Sequence, residues 1–338
     1  MKLVPQIYKF ICILGFVVFG SVYFITMHKA IIKEKAFILL TSIQKPNQKK
    51  TFPVHIEKLS LYPEISTSTE FAFVAMLSCN FYLYGLGAAK LGHTLQSYSN
   101  VDMIILELYT RPIPGDIRIL LYQSGWKICK VPTISGPSNV AVETSRFLLA
   151  SVYSKFHAWQ LIEYTAVVLM DLDTLAVNDP SDLFTTQLPL MIHANKSIGA
   201  VRDHPMIRCY GTTAWNIFNA GMLLIKPNID TYNSLVDSID KLPHNSVSDA
   251  EQALINVLLK DSIYELPFVY NVLTIAKICE PELWMEHEKN FRIIHFTATK
   301  PWGYSMQWTN PEDPFACWFW DVEEYCLLWD IINVHAVI

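Results

Sequence analysis

Two aspartates stand one residue apart at the end of an apolar run, Val167-Val168-Leu169-Met170-Asp171-Leu172-Asp173-Thr174-Leu175. The run reads as a buried strand. In an extended chain residues i and i+2 point to one side, so Asp171 and Asp173 are expected together at the strand's carboxyl end, where open α/β sheets bind ligands. Carboxylates that close repel each other and desolvate poorly, and a divalent cation satisfies both. A solvated turn or a helix cap is the plainer use of such a pair; the buried strand ahead of it favours the metal. Further along, the segment from Arg292 to Trp302 reads as a strand followed by a turn. There His295 can complete a metal site with the aspartates, and Lys300 can neutralise a phosphate.

Two other stretches carry groups suited to a ligand. Phe218-Asn219-Ala220-Gly221 leads into a second buried strand that runs to Ile225. Small residues there let a ligand approach the backbone, and Asn219 offers both a donor and an acceptor. Glu251-Gln252 opens an apolar helix ending near Leu259, where an acidic residue in the first turn also suits the helix itself.

The elements that must position these groups alternate. Phe71 to Leu77 reads as a strand, Leu83 to Gln96 as a helix, and Met103 to Leu108 as a second strand. Pro114 to Gln123 is helical and stopped by Gly125, Trp126 to Val131 is a third strand, and Ser145 to Glu163 is helical, leading to the strand that carries the aspartates. Repeated βαβ units imply a mostly parallel sheet with a nucleotide site at its carboxyl edge. No phosphate-cradling glycine loop is present, which argues against a dinucleotide or Walker-type site.

A chain of 338 residues with a net charge of −5 can bury a full-sized core and offers no basic surface for nucleic acid. Phe10 to Met27 is an uncharged run of 18 residues, just long enough to span a bilayer. A cleavable signal peptide is the alternative, but no small-x-small cleavage site follows the run, which favours a retained anchor. Positive charges flank it similarly on both sides, so they do not fix orientation. The division expected is therefore a short tail at 1–9, a membrane anchor at 10–27, a stem or linker at 28–69, and a body at 70–338. Seven cysteines show no Cys-x-x-Cys or zinc-like spacing. Cys79, Cys129, Cys209, Cys279, Cys317 and Cys326 can form disulfides in an oxidising lumen, with the connectivity left open. The sequon Asn195-Lys196-Ser197 fits that compartment.

In chain order, Arg146, Tyr153 to Trp159, Met170-Asp171-Leu172-Asp173-Thr174, Phe218 to Gly221, Glu251-Gln252, Leu266 to Asn271, and His295 through Trp302 resemble glycosyltransferase family 8, the glycogenin-like enzymes, over roughly Glu70 to Trp320. The anchor and the Gly125-Trp126-Lys127-Ile128 segment look most like the membrane-anchored plant glucuronosyltransferase branch. The resemblance implies a GT-A fold, Rossmann-like with a mostly parallel central sheet. It also implies a retaining transferase that moves a hexosyl or glucuronosyl unit from a UDP-sugar to a glycan or glycolipid acceptor with Mn2+. Asp171, Asp173 and His295 would hold the manganese, with Asp171 also near the donor ribose. Arg146 and Lys155 would bind the donor and Lys300 its diphosphate, while Asn219 and Gln252 would touch the transferred sugar beside Glu251. Ser78 and Tyr82 fall near the uracil-binding loop. A Golgi or ER membrane, single-pass type II topology with a lumenal body follows from the same resemblance, and a homodimer is compatible with it.

Three departures bear on activity. Glu251-Gln252 replaces the family's Asp-Gln, Ala220 replaces a serine, and the loop from His295 to Lys300 is one residue shorter than in glycogenin, with Ala298 at its glycine. The position of glycogenin's self-glucosylated tyrosine falls on Glu280, so self-priming there is not expected. The same motifs would also sit in a catalytically lapsed, membrane-anchored binding or scaffold protein, or in a metal-dependent nucleotidyltransferase. UDP release with manganese separates the first of these from a transferase, and turnover of a nucleoside triphosphate would mark the second.

Overall fold

In the computed structural model of this chain, four apolar runs lie side by side as the parallel half of a seven-stranded sheet. They are β1 (Phe71–Leu77), β2 (Asp102–Leu108), β3 (Lys127–Val131) and β4 (Ala166–Met170). The structure describes residues 69–78, 81–137, 151–203, 209, 217–241, 250–297 and 300. All fall within one of the two units into which the chain divides, that of residues 57–337. The expected tail, the anchor at 10–27 and, but for Thr69, the stem lie outside the described residues, as do Arg146 and the segment after Lys300. Among the described residues no helix is long and apolar enough to cross a membrane.

The strands read as near-continuous apolar runs because both faces of the sheet are covered. Phe73, Ala75 and Leu77 point into one buried cluster with Leu91, Ile117 and Trp126, whereas Ala72 and Val74 point into the opposite one with Phe156 and Trp159. The two-residue alternation of a strand thus assigns each residue to a layer. On the first face lie α1 (Phe81–Tyr98) and α2 (Gly115–Gln123); α1 starts and ends two residues outside the stretch that the apolar spacing marks. Gly125 follows α2 with φ 84°, a left-handed conformation that glycine adopts without strain.

The order β3-β2-β1-β4-β7-β6-β8 places β7 (Phe218–Ile225) beside β4 and β6 (Ile198–Arg202) beyond it, with β8 (Ile263–Glu265) at the edge. β7 is antiparallel to both β4 and β6, and the remaining pairs are parallel. The sheet is mostly parallel, as the βαβ pattern implies. The reversal matters, because it brings the start of β7, with Asn219 and Gly221, to the edge where β4 ends.

Two expectations are corrected. The helix expected to reach Glu163 stops at Gln160 and is a 3₁₀ helix over Val152–Gln160, its expected start at 145–150 lying outside the described residues. Tyr153, Phe156 and Trp159 fall three residues apart and contact edge to face, the eclipsed stacking of a three-residue turn. And Asp171 and Asp173 do not continue β4 in extended form. The strand stops at Met170, the chain turns, and β5 (Thr174–Ala176) joins a separate three-stranded sheet with β10 (Ile293–His295) and β9 (Val272–Leu273). Leu175 and Ile294 are buried beneath it with Trp284, Phe291 and Phe296. Among the described cysteines, Cys209 and Cys279 form a disulfide and Cys129 is a buried free thiol.

Candidate active site

The turn that carries the aspartates is held at both ends. Asp171 N donates to Gly221 O at 2.8 Å, Thr174 Oγ1 donates to Asp171 O at 2.6 Å, and Phe296 N donates to Asp173 O at 2.9 Å. The first contact ties it to β7 and the last to the residue after β10. His295 sits opposite Thr174 in the β10–β5 ladder, which delivers its ring to the carboxylates. Its Nε2 lies 3.4 Å from Asp173 Oδ1 and 3.9 Å from Asp171 Oδ2. One ligand atom from each of the three residues lies within 4.8 Å of the others.

The surrounding residues fit a divalent cation at this triad. His295 Nδ1 lies 3.0 Å from Asn271 Oδ1, and that oxygen can only accept, because the Asn271 Nδ2 amide donates to Asn219 Oδ1 at 2.9 Å. Nδ1 therefore donates here, which leaves Nε2 as the ring atom turned toward the carboxylates, the arrangement that metal-binding histidines use. Space for the ring comes from Gly221, where a Cβ would stand 2.1 Å from His295 Cε1.

Two lysines complete the charge pattern. Lys155 Nζ, on the 3₁₀ helix, pairs with Asp171 Oδ1 and Glu251 Oε1, each at 2.6 Å. Burial opposes its charge, but the two carboxylates outweigh that and hold its pKa above the ordinary lysine value. Lys300 Nζ contacts Asp173 Oδ2 and donates to the carbonyls of Phe296 and Thr297 at 3.0 and 2.9 Å. Desolvation would raise the Asp173 pKa, yet the adjacent Lys300 and His295 prevail and hold it below the usual carboxylate range.

Asn219 and Gln252 converge on a residue that sequence reasoning missed, Asp203. Its Oδ2 accepts from Asn219 Nδ2 at 3.1 Å and from Gln252 Nε2 at 3.3 Å. Gln252 Oε1 accepts from Ala220 N at 2.9 Å, and Asn219 Oδ1 accepts from Gly221 N at 2.9 Å. The polar groups thus close a ring: Asp203, Asn219, Asn271, His295, Asp171, Lys155, and the neighbours Glu251 and Gln252 that return to Asp203. Asp203 directly follows β6 (Ile198–Arg202) as Asp171 directly follows β4, a signal available in the sequence one residue beyond the apolar run. Asn271 lies in a motif already singled out but was given no role.

Of the other site residues expected, Ser78 is buried at the carboxyl end of β1, on the same sheet edge. Tyr82, in the first turn of α1, is half exposed and donates its hydroxyl to Asp116 Oδ2 at 3.1 Å, which turns it toward α2.

Residues 110–306 match the family described as glycosyl transferase family 8. Glycogenin-1 of Mus musculus is 27% identical over 251 residues, covering 72% of this chain and 68% of that protein. Galactinol synthase 2 of Arabidopsis thaliana is 25% identical, covering 67% and 70%. Among solved structures, the glycosyltransferase GlyE of Streptococcus pneumoniae TIGR4 aligns over 79% of this chain and 61% of its own, with 20% identity and a TM-score of 0.52. Galactosyltransferase LgtC in complex with donor and acceptor sugar analogs aligns over 77% and 95%, with 17% identity and a TM-score of 0.50. Both share the GT-A-like fold. The family match covers more than half of the chain: it belongs to glycosyltransferase family 8.

Proposed function

We propose that this chain is a retaining, manganese-dependent transferase that moves a glycosyl unit from a UDP-sugar to a glycan or glycolipid hydroxyl. The observation that carries this reading is the closed ring, because it joins a cation-binding triad to amides and a carboxylate suited to a sugar. Asp171, Asp173 and His295 would hold manganese, which when bound supplies positive charge against the donor diphosphate. Lys300 would add a second cation there, its stem held close to Asp173. Stabilising charge on the departing UDP is the largest contribution such a site can make.

The remaining steps belong to this chain's own residues. Asn219 and Gln252 each use one amide hydrogen on Asp203 and keep another for a sugar hydroxyl. Asp203 Oδ1, with no donor among the described residues, accepts from a hydroxyl and fixes the ring's orientation. The C1–O bond to UDP breaks as the acceptor oxygen bonds to C1 on the same face, its proton passing to a phosphate oxygen of the departing UDP, so configuration is kept. Ser78 lies on the edge where a uracil would sit. Lys155 acts through Asp171 and Glu251, orienting both carboxylates rather than meeting the donor itself.

The Cys209–Cys279 disulfide and the exposed Asn195 of the sequon support a body in an oxidising lumen, with the run at 10–27 as its anchor. The decisive test of the activity is UDP release from UDP-sugars with and without manganese and candidate glycan acceptors. Metal-dependent release supports a transferase. Binding of UDP without release from any donor would favour the scaffold reading.

A further inference from the structure

Among the described residues, four carboxylates lie at the ring, those of Asp171, Asp173, Asp203 and Glu251, against two ammonium groups, those of Lys155 and Lys300. Lys155 is shared between Asp171 and Glu251 at 2.6 Å to each. Lys300 lies against Asp173 and two backbone carbonyls. Asp203, only 4% exposed, is bonded by neutral amides alone, so its charge has no cationic counterpart among the described residues. The charge of Asp203 is thus the one without a cation beside it among the described residues, while Glu251 shares its lysine with Asp171.

From this charge inventory, and resting on the transferase reading above, we propose that the sugar subsite takes an uncharged donor sugar and discriminates against a uronosyl donor. A neutral hexose or pentose brings hydroxyl donors to carboxylate acceptors, which gives charge-assisted hydrogen bonds. A uronosyl carboxylate brings acceptors to acceptors and a like charge into a buried site, and each described cation of the ring is already paired. Glu251 sets part of this selectivity, since it commits one of the bonds of Lys155. Replacing it with an uncharged isostere removes a negative charge and leaves Lys155 with Asp171 alone, so a uronosyl carboxylate regains a partner.

The test is calorimetric binding to the full chain with Mn2+, using UDP, UDP-glucose, UDP-galactose and UDP-glucuronate, on the wild type and on Glu251→Gln and Asp203→Asn. UDP-glucose or UDP-galactose should bind the wild type at least as tightly as UDP, and UDP-glucuronate at least roughly 10-fold more weakly than the better of them. Either substitution should shrink that gap by about 10-fold while UDP itself still binds, and two variants guard against one that does not fold. UDP-glucuronate binding the wild type as tightly as the neutral donors, with UDP binding normally, would overturn the charge assignment and leave the transferase reading standing. A gap that neither variant narrows would also overturn it. Failure of UDP itself to bind the wild type would overturn the transferase reading and this inference together.

Discussion

The ring of His295 donates from Nδ1 to the carboxamide oxygen of Asn271, 3.0 Å away, and this one bond decides which nitrogen faces Asp171 and Asp173. Asn271 is in turn fixed by its amide bond to Asn219. Asn271→Leu keeps the volume and removes both bonds, so the imidazole loses its tautomer and its orientation. Manganese affinity, measured by calorimetry, should fall about 10- to 100-fold, with a smaller change in UDP binding measured without metal.

Asp173→Asn removes one ligand oxygen and one negative charge while its backbone carbonyl still accepts from Phe296 N. Manganese should raise the Tm of the wild type and leave that of the variant unmoved, and metal-dependent transfer should drop roughly 100-fold or more. A variant that transferred sugar at the wild-type rate would show that Asp173 holds no metal.

Gly221→Ala tests the space for the histidine. A Cβ there would stand 2.1 Å from His295 Cε1 and 3.0 Å from Asn219 Oδ1, so the ring has to move away from the carboxylates. The change should cost about 1–3 kcal/mol of stability by overpacking and abolish the manganese-induced rise in Tm. Retention of that rise would show that the ring can shift without losing its ligand position.

Lys300→Ala should slow transfer from every accepted donor by a similar factor and weaken UDP binding, because an ammonium against a diphosphate acts on charge common to all UDP-sugars. The measurement is kcat/KM for at least two donors. A changed ratio between donors would place Lys300 against the sugar instead.

His157 supplies a pH signature away from the metal. Burial lowers its pKa, and its hydrogen bonds to Gln160 and to Pro132 O only partly offset this. A depressed pKa in the folded state means that its contribution to stability is complete above the unfolded value of about 6.5 and is lost as pH falls through the folded value. The Tm of the wild type should therefore decline below about pH 6.5 more steeply than that of His157→Gln. Parallel curves would show that the ring is equally protonated in both states.

Much of this was legible in the residues. β1 to β4 announce themselves as apolar runs because both sheet faces are covered, and Gly125 marks the end of α2 through its backbone. The Asp171–Asp173 turn was not legible, because it depends on pairing between β5 and β10, strands far apart in the chain. The carboxylates nonetheless meet, since the turn gathers them as an extended chain would have. The 3₁₀ helix hid behind apolar residues whose spacing of three, at Tyr153, Phe156 and Trp159, resembles a helix of either kind. Asp203 and Asn271 escaped because a lone polar residue beside a strand, after β6 in one case and before β9 in the other, looks like any turn residue until its partners are known. Lys155 was placed at the site by resemblance, but its sharing between Asp171 and Glu251 comes from three elements that no local pattern connects.

The small sheet formed by β5, β10 and β9 has a consequence for the order in which the Asp171, Asp173 and His295 triad can assemble during synthesis. Asp173 and Lys300 are separated by 127 residues, and β5 finds its partner only when β10 exists. A ribosome extending the chain exposes the aspartates early, with the whole stretch to His295 still to be made. Until that stretch emerges, the aspartates have neither the histidine nor the strand that orients them. The parallel half of the large sheet can pair before the triad is assembled, so any cation the triad holds would be taken up late, after β10 has paired with β5.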